Sequence, residues 1–165
     1  SRYSSSIMLV VSGKGPREKQ IRKYAEKLPV KARIAYVPEE ELIRNYSTAD
    51  LYVHASEVEL ESMSVLEAMA CGLPPVISDA QASAAGQFAL DERFLFKSGD
   101  ASHLARRIDY WIENRNELRK ASALYRKFSS DYRIENSVTR LESIYSSVIA
   151  ETREFSFSGV KAEST

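Results

Sequence analysis

Short apolar runs alternate with amphipathic segments along most of this chain, and that alternation limits the folds open to it. Residues 7–11, 32–37, 50–54, 75–78 and 94–96 read as strands. Between them, residues 17–28 place Ile21, Tyr24, Ala25 and Leu28 on one helical face, and the segment after Pro38 carries Leu42, Ile43 and Tyr46. Residues 62–71 form a third helical pattern, stopped by Gly72 and Pro74. The continuous apolar run at 7–11 suits a buried parallel strand. Strand–helix alternation at this spacing argues for an α/β, Rossmann-like parallel sheet with helices on both faces. Residues 80–90 are rich in small side chains and read as a loop with a short helix. Asp100 is placed to cap a helix running to about Glu113, followed by helices over 115–128 and 135–151. One domain over residues 1–151 is expected, with the polar segment 152–165 as a flexible tail.

Composition narrows the function classes. The chain has 165 residues, 44% hydrophobic and 28% charged, enough for one domain with a real core. Its 23 basic and 23 acidic residues cancel, so bulk charge gives no reason to expect a nucleic-acid partner. No apolar run reaches the roughly 18–20 residues of a membrane span. No signal peptide opens the chain, and the missing initial methionine suggests a fragment or a processed protein. The single cysteine, Cys71, cannot form an internal disulfide, which points to a reducing cytoplasm. His54, His103 and Cys71 lie too far apart in sequence to suggest a metal site.

In parallel α/β sheets, ligands bind at the carboxyl ends of strands. Three loops qualify: 12–16, 37–40 and 55–62. The last leads into the helix at Ser62, whose free N–H groups and partial positive charge favour an anion. Glu59 stands before that helix and Glu67 inside it. Together they suit a ligand with both phosphate and hydroxyl groups, such as a nucleotide sugar. Glu59 can accept from sugar hydroxyls, and the two oxygens of Glu67 match the vicinal hydroxyls of a ribose. Most glutamates are simply solvated. Here Val65, Leu66, Ala68, Met69, Ala70 and Cys71 surround Glu67, which predicts a helix buried on most sides. Gly13-Lys14-Gly15 permits close backbone approach to a phosphate, or is only a tight strand–helix turn. His54 is a polar contact near the sugar or a strand-end histidine bonded to backbone. Ser56 and Ser64 have no adjacent base. Asp109-Tyr110-Trp111-Ile112 reads as helix core. Arg106, Arg107, Arg115, Arg119, Lys120, Arg126 and Lys127 form a solvated basic face or a contact with an anionic membrane surface.

These residues carry a resemblance. Ala55-Ser56, Glu59-x7-Glu67 and Glu67-Ala-Met-Ala-Cys-Gly-Leu-Pro-Pro-Val76 resemble the P-S…E-x7-E-A-M-A-x-G-x-P-V-V signature of family 4 glycosyltransferases of the GT-B fold. The turn Val11-Ser-Gly-Lys-Gly-Pro16 and the segment Tyr36-Val37…Glu41-Leu42…Tyr46…Ala49-Asp50 resemble further parts of the same donor-binding domain. Residues 83–96 and 108–113 look like bacterial lipid glucosyltransferases that act on diacylglycerol or a sterol.

The resemblance implies a retaining transfer of glucose from UDP-glucose, with no resident cofactor or metal. It implies Glu67 on the ribose and Glu59 on a donor-sugar hydroxyl as the catalytic residue. The backbone of Leu60, Glu61, Ser62 and Met63 would face the sugar and diphosphate, and Tyr36 and Val37 the uracil. It implies a cytoplasmic enzyme, peripheral on the inner face of a membrane, whose lipid acceptor is held by an N-terminal domain. Alternative readings are a polysaccharide acceptor, or a nucleotide-sugar-binding module without catalysis. The sequence departs from the pattern at Glu61-Ser62, where the family has an aromatic residue and a glycine. His54-Ala55 replaces the usual proline before the serine, and Pro75 replaces a valine. The family's donor domain opens with a strand and a cationic loop. This chain is expected to start after both and to turn over no substrate alone.

Overall fold

The computed structural model describes residues 2–158. Strand β1 (Met8–Ser12) pairs in parallel with β2 (Lys31–Ala35), Met8 opposite Lys31 and Ser12 opposite Ala35, and α1 (Glu18–Ala25) connects them. Helix α2 (Glu39–Thr48) leads to β3 (Tyr52–His54), β4 (Val58–Glu59) and α3 (Met63–Ala70). Then come β5 (Pro75–Ser78), β6 (Ala82–Ser83) and β7 (Leu95–Phe96), and the helices α4 (Ala101–Glu113), α5 (Arg115–Ser129) and α6 (Ile134–Ser158). The α/β class and the parallel pairing are as expected. The strands fall into three sheets, β1-β2, β3-β5-β7 and β4-β6. The two-residue pair β4-β6, Val58 opposite Ala82 and Glu59 opposite Ser83, was not foreseen.

The chain divides into two compact units between Phe128 and Ser129. In the second, α6 stays helical to Ser158, past the end expected at Glu151. The remainder of the expected tail, residues 159–165, lies outside the described residues. Residues 131–152 are exposed throughout, including Ile134, Val138, Leu141, Tyr145 and Val148.

The core lies in the first unit. Its middle strand is β5, with β3 on one side and β7 on the other, and all four of its residues are buried. Pro75 is tolerated there because it opens the strand, where a missing N–H costs least. Val65, Ala68 and Met69 of α3 join Val76 and Ile77 of β5 among the fully buried residues. Phe94 stacks on Trp111 at 4.3 Å and meets Tyr125 edge-on at 5.1 Å. Trp111, read above as core, is 1% exposed, and its indole N–H reaches the Arg93 carbonyl at 3.3 Å. By contrast, β1 is not the buried strand expected. Met8 is 61% exposed and Leu9 and Val10 are also open, so the faces of β1 are not fully covered by the rest of the unit.

The end of α3 is tightly specified. Gly72 takes φ +76°, its N–H bonds the Met69 carbonyl, and the Leu73 N–H reaches back to Ala68. That paired pattern closes a helix with a left-handed residue, which glycine adopts without steric cost. A Cβ at position 72 would sit 2.8 Å from Nη2 of Arg126. Arg126 donates to the Cys71 carbonyl at 2.9 Å and the Ser122 hydroxyl donates to the Gly72 carbonyl, so α5 caps the C-terminus of α3. Asp100 caps α4 as expected, accepting from the His103 N–H at 2.8 Å.

Burial pushes the phenols of Tyr46, Tyr52 and Tyr125 above their ordinary value. An unfolded chain ionises tyrosine near pH 10. The folded chain holds these rings neutral to higher pH. Their contribution to stability is therefore complete below about pH 10 and is lost as pH rises through the raised values. Denaturant midpoints measured across that range should fall on the alkaline side. Separately, the Tyr125 hydroxyl accepts from the Leu90 N–H at 3.2 Å. Tyr125→Phe strands that donor and should cost about 1–3 kcal/mol in urea titration, with an unchanged m-value.

Candidate functional site

The chain leaves β3 at His54, forms the short strand β4, and enters α3 through a turn at Ser62. Ser62 is the one non-glycine residue with positive φ among the described residues, at φ 57° and ψ 48°. This is left-handed backbone, where glycine is the easy choice. Glu59 holds the turn: its Oε1 accepts from the N–H of Leu60 at 3.2 Å and of Ser62 at 3.4 Å. Its Oε2 lies 3.8 Å from Nε2 of His54. His54 is buried, and that burial lowers its pKa while Glu59 pulls the other way. The N–H groups of Met63 and Ser64 open α3 and have no helical carbonyl behind them. The result is a half-buried carboxylate folded under a helix N-terminus, with Leu60, Glu61 and Met63 exposed around it. Such an arrangement can accept hydroxyl hydrogens and stabilise an anion at one place.

Three buried polar atoms here have no hydrogen-bond partner among the described residues: Nε2 of His54, Oγ of Ser62 and Oγ of Ser78. They stand at the end of β3, at the start of α3 and at the end of β5. A fourth such atom, Nδ2 of Asn45, lies on α2, while these three stand where a parallel α/β fold presents groups to a ligand. Ser78 was not foreseen, because a serine ending an apolar run gives no signal of its own burial.

Glu67 is exposed, which corrects the expectation of a helix buried around it. Of the apolar residues around it, Val65, Ala68 and Met69 form the wholly buried face of α3, whereas Ala70 and Cys71 share the side of Glu67. Its Oε2 receives the hydroxyl of Tyr46 at 3.3 Å. A cavity of about 350 Å³ opens there between α2 and α3, lined by Leu42, Ile43, Tyr46, Glu67, Ala70 and Cys71. That volume is at the small end of the range for ligand pockets. Tyr52 reaches across from β3 to the hydroxyl of Ser64 at 3.0 Å.

The remaining candidates lie on the β1-β2 sheet. Gly13, Lys14 and Gly15 follow β1 and are exposed, and the Gly13 N–H bonds the Ala35 carbonyl at 3.0 Å. A Cβ at Gly13 or Gly15 would meet nothing within 4 Å, so neither glycine is required by packing within this chain. Tyr36 is 76% exposed after β2, and Val37 is half-buried beside it. Of the basic cluster, Arg107 is bound to the Leu95 carbonyl, Arg115 to Asp50 and Arg126 to Cys71. Arg106, Arg119 and Lys120 are exposed. His103 is structural, its Nδ1 accepting from the Lys97 N–H. Among the described residues, no helix is long and apolar enough to cross a membrane.

With this geometry in view, known proteins of the same kind can be identified. The family described as Glycosyl transferases group 1 matches residues 2–127. A Bacillus subtilis (strain 168) protein named as a glycosyltransferase, EpsD, is 30% identical over 154 residues. That likeness covers 90% of this chain and 40% of EpsD, so the chain spans under half the length of that relative. The catalytic domain of cholesterol-α-glucosyltransferase from Helicobacter pylori superposes with a TM-score of 0.77 and 44% identity, over 81% of this chain and 84% of that one. HepE of Anabaena, solved with UDP and glucose, shares the fold at a TM-score of 0.67 and 19% identity, over 87% of this chain and 40% of its own.

The left-handed turn makes a direct test. Ser62→Val forces a β-branched residue into that conformation and should cost at least about 1–2 kcal/mol. Ser62→Gly removes the strain together with an unpaired buried hydroxyl, and thermal unfolding should show it no less stable than the parent.

Proposed function

The chain belongs to the group 1 glycosyl transferases, and from that premise we propose that it binds the donor in a retaining transfer of glucose from UDP-glucose to a lipid such as a sterol or diacylglycerol. The likeness to the Helicobacter pylori cholesterol glucosyltransferase domain carries this reading. It runs through most of the chain at an identity well above that of the fold-level matches.

In this proposal the N-terminus of α3 faces the diphosphate, and its dipole offsets the negative charge that grows on the leaving group. Glu67 accepts the two ribose hydroxyls. Glu59 presents Oε2 to a hydroxyl of the glucose while Oε1 keeps the 60–62 turn in place. The backbone of Leu60, Glu61, Ser62 and Met63 lies along the sugar and diphosphate, with His54 beneath. Tyr36 and Val37 hold the uracil, and Gly13, Lys14 and Gly15 border the phosphates. No side chain acts as a covalent nucleophile. The departing diphosphate guides same-face attack, and rate comes from positioning and charge stabilisation. The donor is a substrate, and no metal or other cofactor enters the scheme. The acceptor is held by parts of the enzyme beyond these residues, so the 165-residue chain alone binds donor without transferring it. Arg106, Arg119 and Lys120 supply the contact with an anionic membrane surface on the cytoplasmic side.

In the intact enzyme, Glu67→Ala should lower kcat/KM by roughly 10- to 100-fold with an unchanged melting temperature. Full retained activity would exclude the ribose role. Product analysis with UDP-glucose should give a lipid-soluble glucoside. A glucosylated glycan instead would reassign the acceptor.

A further inference from the structure

Tyr46 touches a proposed donor contact, Glu67, and the scheme above leaves it without a task. It sits on α2, half-buried, and its hydroxyl donates to Oε2 of Glu67 on α3 at 3.3 Å. Its ring meets Tyr52 edge-on, with centroids 5.9 Å apart and planes at 85°. Tyr52 is itself tied to the first turn of α3 through Ser64. The direction of the Tyr46 hydroxyl is therefore set by packing on three elements, α2, β3 and α3.

Glu67 is exposed, and an exposed glutamate samples several rotamers. We propose that Tyr46 is a positioning residue: it fixes the Glu67 carboxylate so that its remaining lone pairs meet both ribose hydroxyls, and so makes α2 part of the discrimination for ribose. The inference rests on the ribose role assigned to Glu67 above. A carboxylate has two oxygens with about four acceptor sites, so one phenol leaves enough for a diol. Ordering the side chain before the ligand arrives removes part of the entropy that binding would otherwise lose. Glu39, Leu42, Ile43 and Ala70 line the same cavity as the pair. Burial and the neighbouring Tyr52 and Glu67 raise the phenol's pKa, so the group stays a donor throughout the physiological range.

The test is calorimetric titration of the intact natural protein with UDP and with its 2′-deoxy and 3′-deoxy analogues. Tyr46→Phe keeps the ring and its edge contact and removes only the hydroxyl. It should weaken UDP by about 5- to 10-fold and leave the deoxy analogues nearly unchanged, so that the preference for ribose shrinks. In a Glu67→Ala background, the same change should have no further effect on UDP. Equal weakening of UDP and the analogues by Tyr46→Phe would mean a merely structural role and overturn the inference, as would a further loss in the Glu67→Ala background. An unchanged preference in Tyr46→Phe, with Glu67→Ala abolishing it, overturns the role of Tyr46 alone. A parent protein that shows no preference for UDP over the analogues overturns the ribose role of Glu67 and this inference with it.

Discussion

The structure depends above all on one face of α3 being driven against β5. Val65, Ala68 and Met69 have no exposure, and neither do Val76 and Ile77. Side chains of this size contribute about 1.5–3 kcal/mol each when fully buried, so this contact is among the largest local terms in the unit. It fixes more than stability. Burying one face of α3 turns the other, with Glu67, toward α2. The same contact points the start of the helix at the ends of β3 and β5. Each proposed donor contact on this half of the unit is referenced to that seat.

Polar groups divide the same way. Two that touch the aromatic core are satisfied: the Trp111 indole by the Arg93 carbonyl and the Leu90 N–H by the Tyr125 hydroxyl. At the strand ends they are not. His54, Ser62 and Ser78 retain buried atoms without a partner, and Ser62 also holds an unfavourable backbone conformation. Departures from the usual rules of packing and pairing thus gather where α3 begins, the region to which the proposed donor contacts Glu59 to Met63 belong.

Some of this was legible in the residues and some was not. Gly72 with two prolines after it announced the end of α3 and the strand behind it, because only a left-handed residue closes a helix that way. Asp100 announced α4 for an equally local reason. The burial of Trp111 followed from its place in an amphipathic repeat. What escaped notice depended on neighbours distant in sequence. The pair β4-β6 is two residues long, too short for any periodicity to register. The apolar run at β1 reads as buried wherever it occurs, but its exposure depends on what packs over the faces of its sheet. Glu67 looked buried because its sequence neighbours are apolar, although only Val65, Ala68 and Met69 among them form the buried face. Ser62 takes left-handed backbone that glycine adopts most easily, which no inspection of residue types could reveal. Tyr46 was visible as part of an apolar stripe, and its hydroxyl acquired a partner only when α2 packed on α3.

The capping of α3 by α5 has a mechanical consequence. Arg126 and Ser122 grasp the carbonyls of Cys71 and Gly72, so the helix is clamped at its far end and cannot slide along its axis without breaking both bonds. Its near end therefore behaves as an anvil. Compliance toward ligands of different shape must come from the loop ahead of it, between Ala55 and Ser62, and that short stretch is where evolution or an engineer could change what the anvil receives without moving the anvil itself.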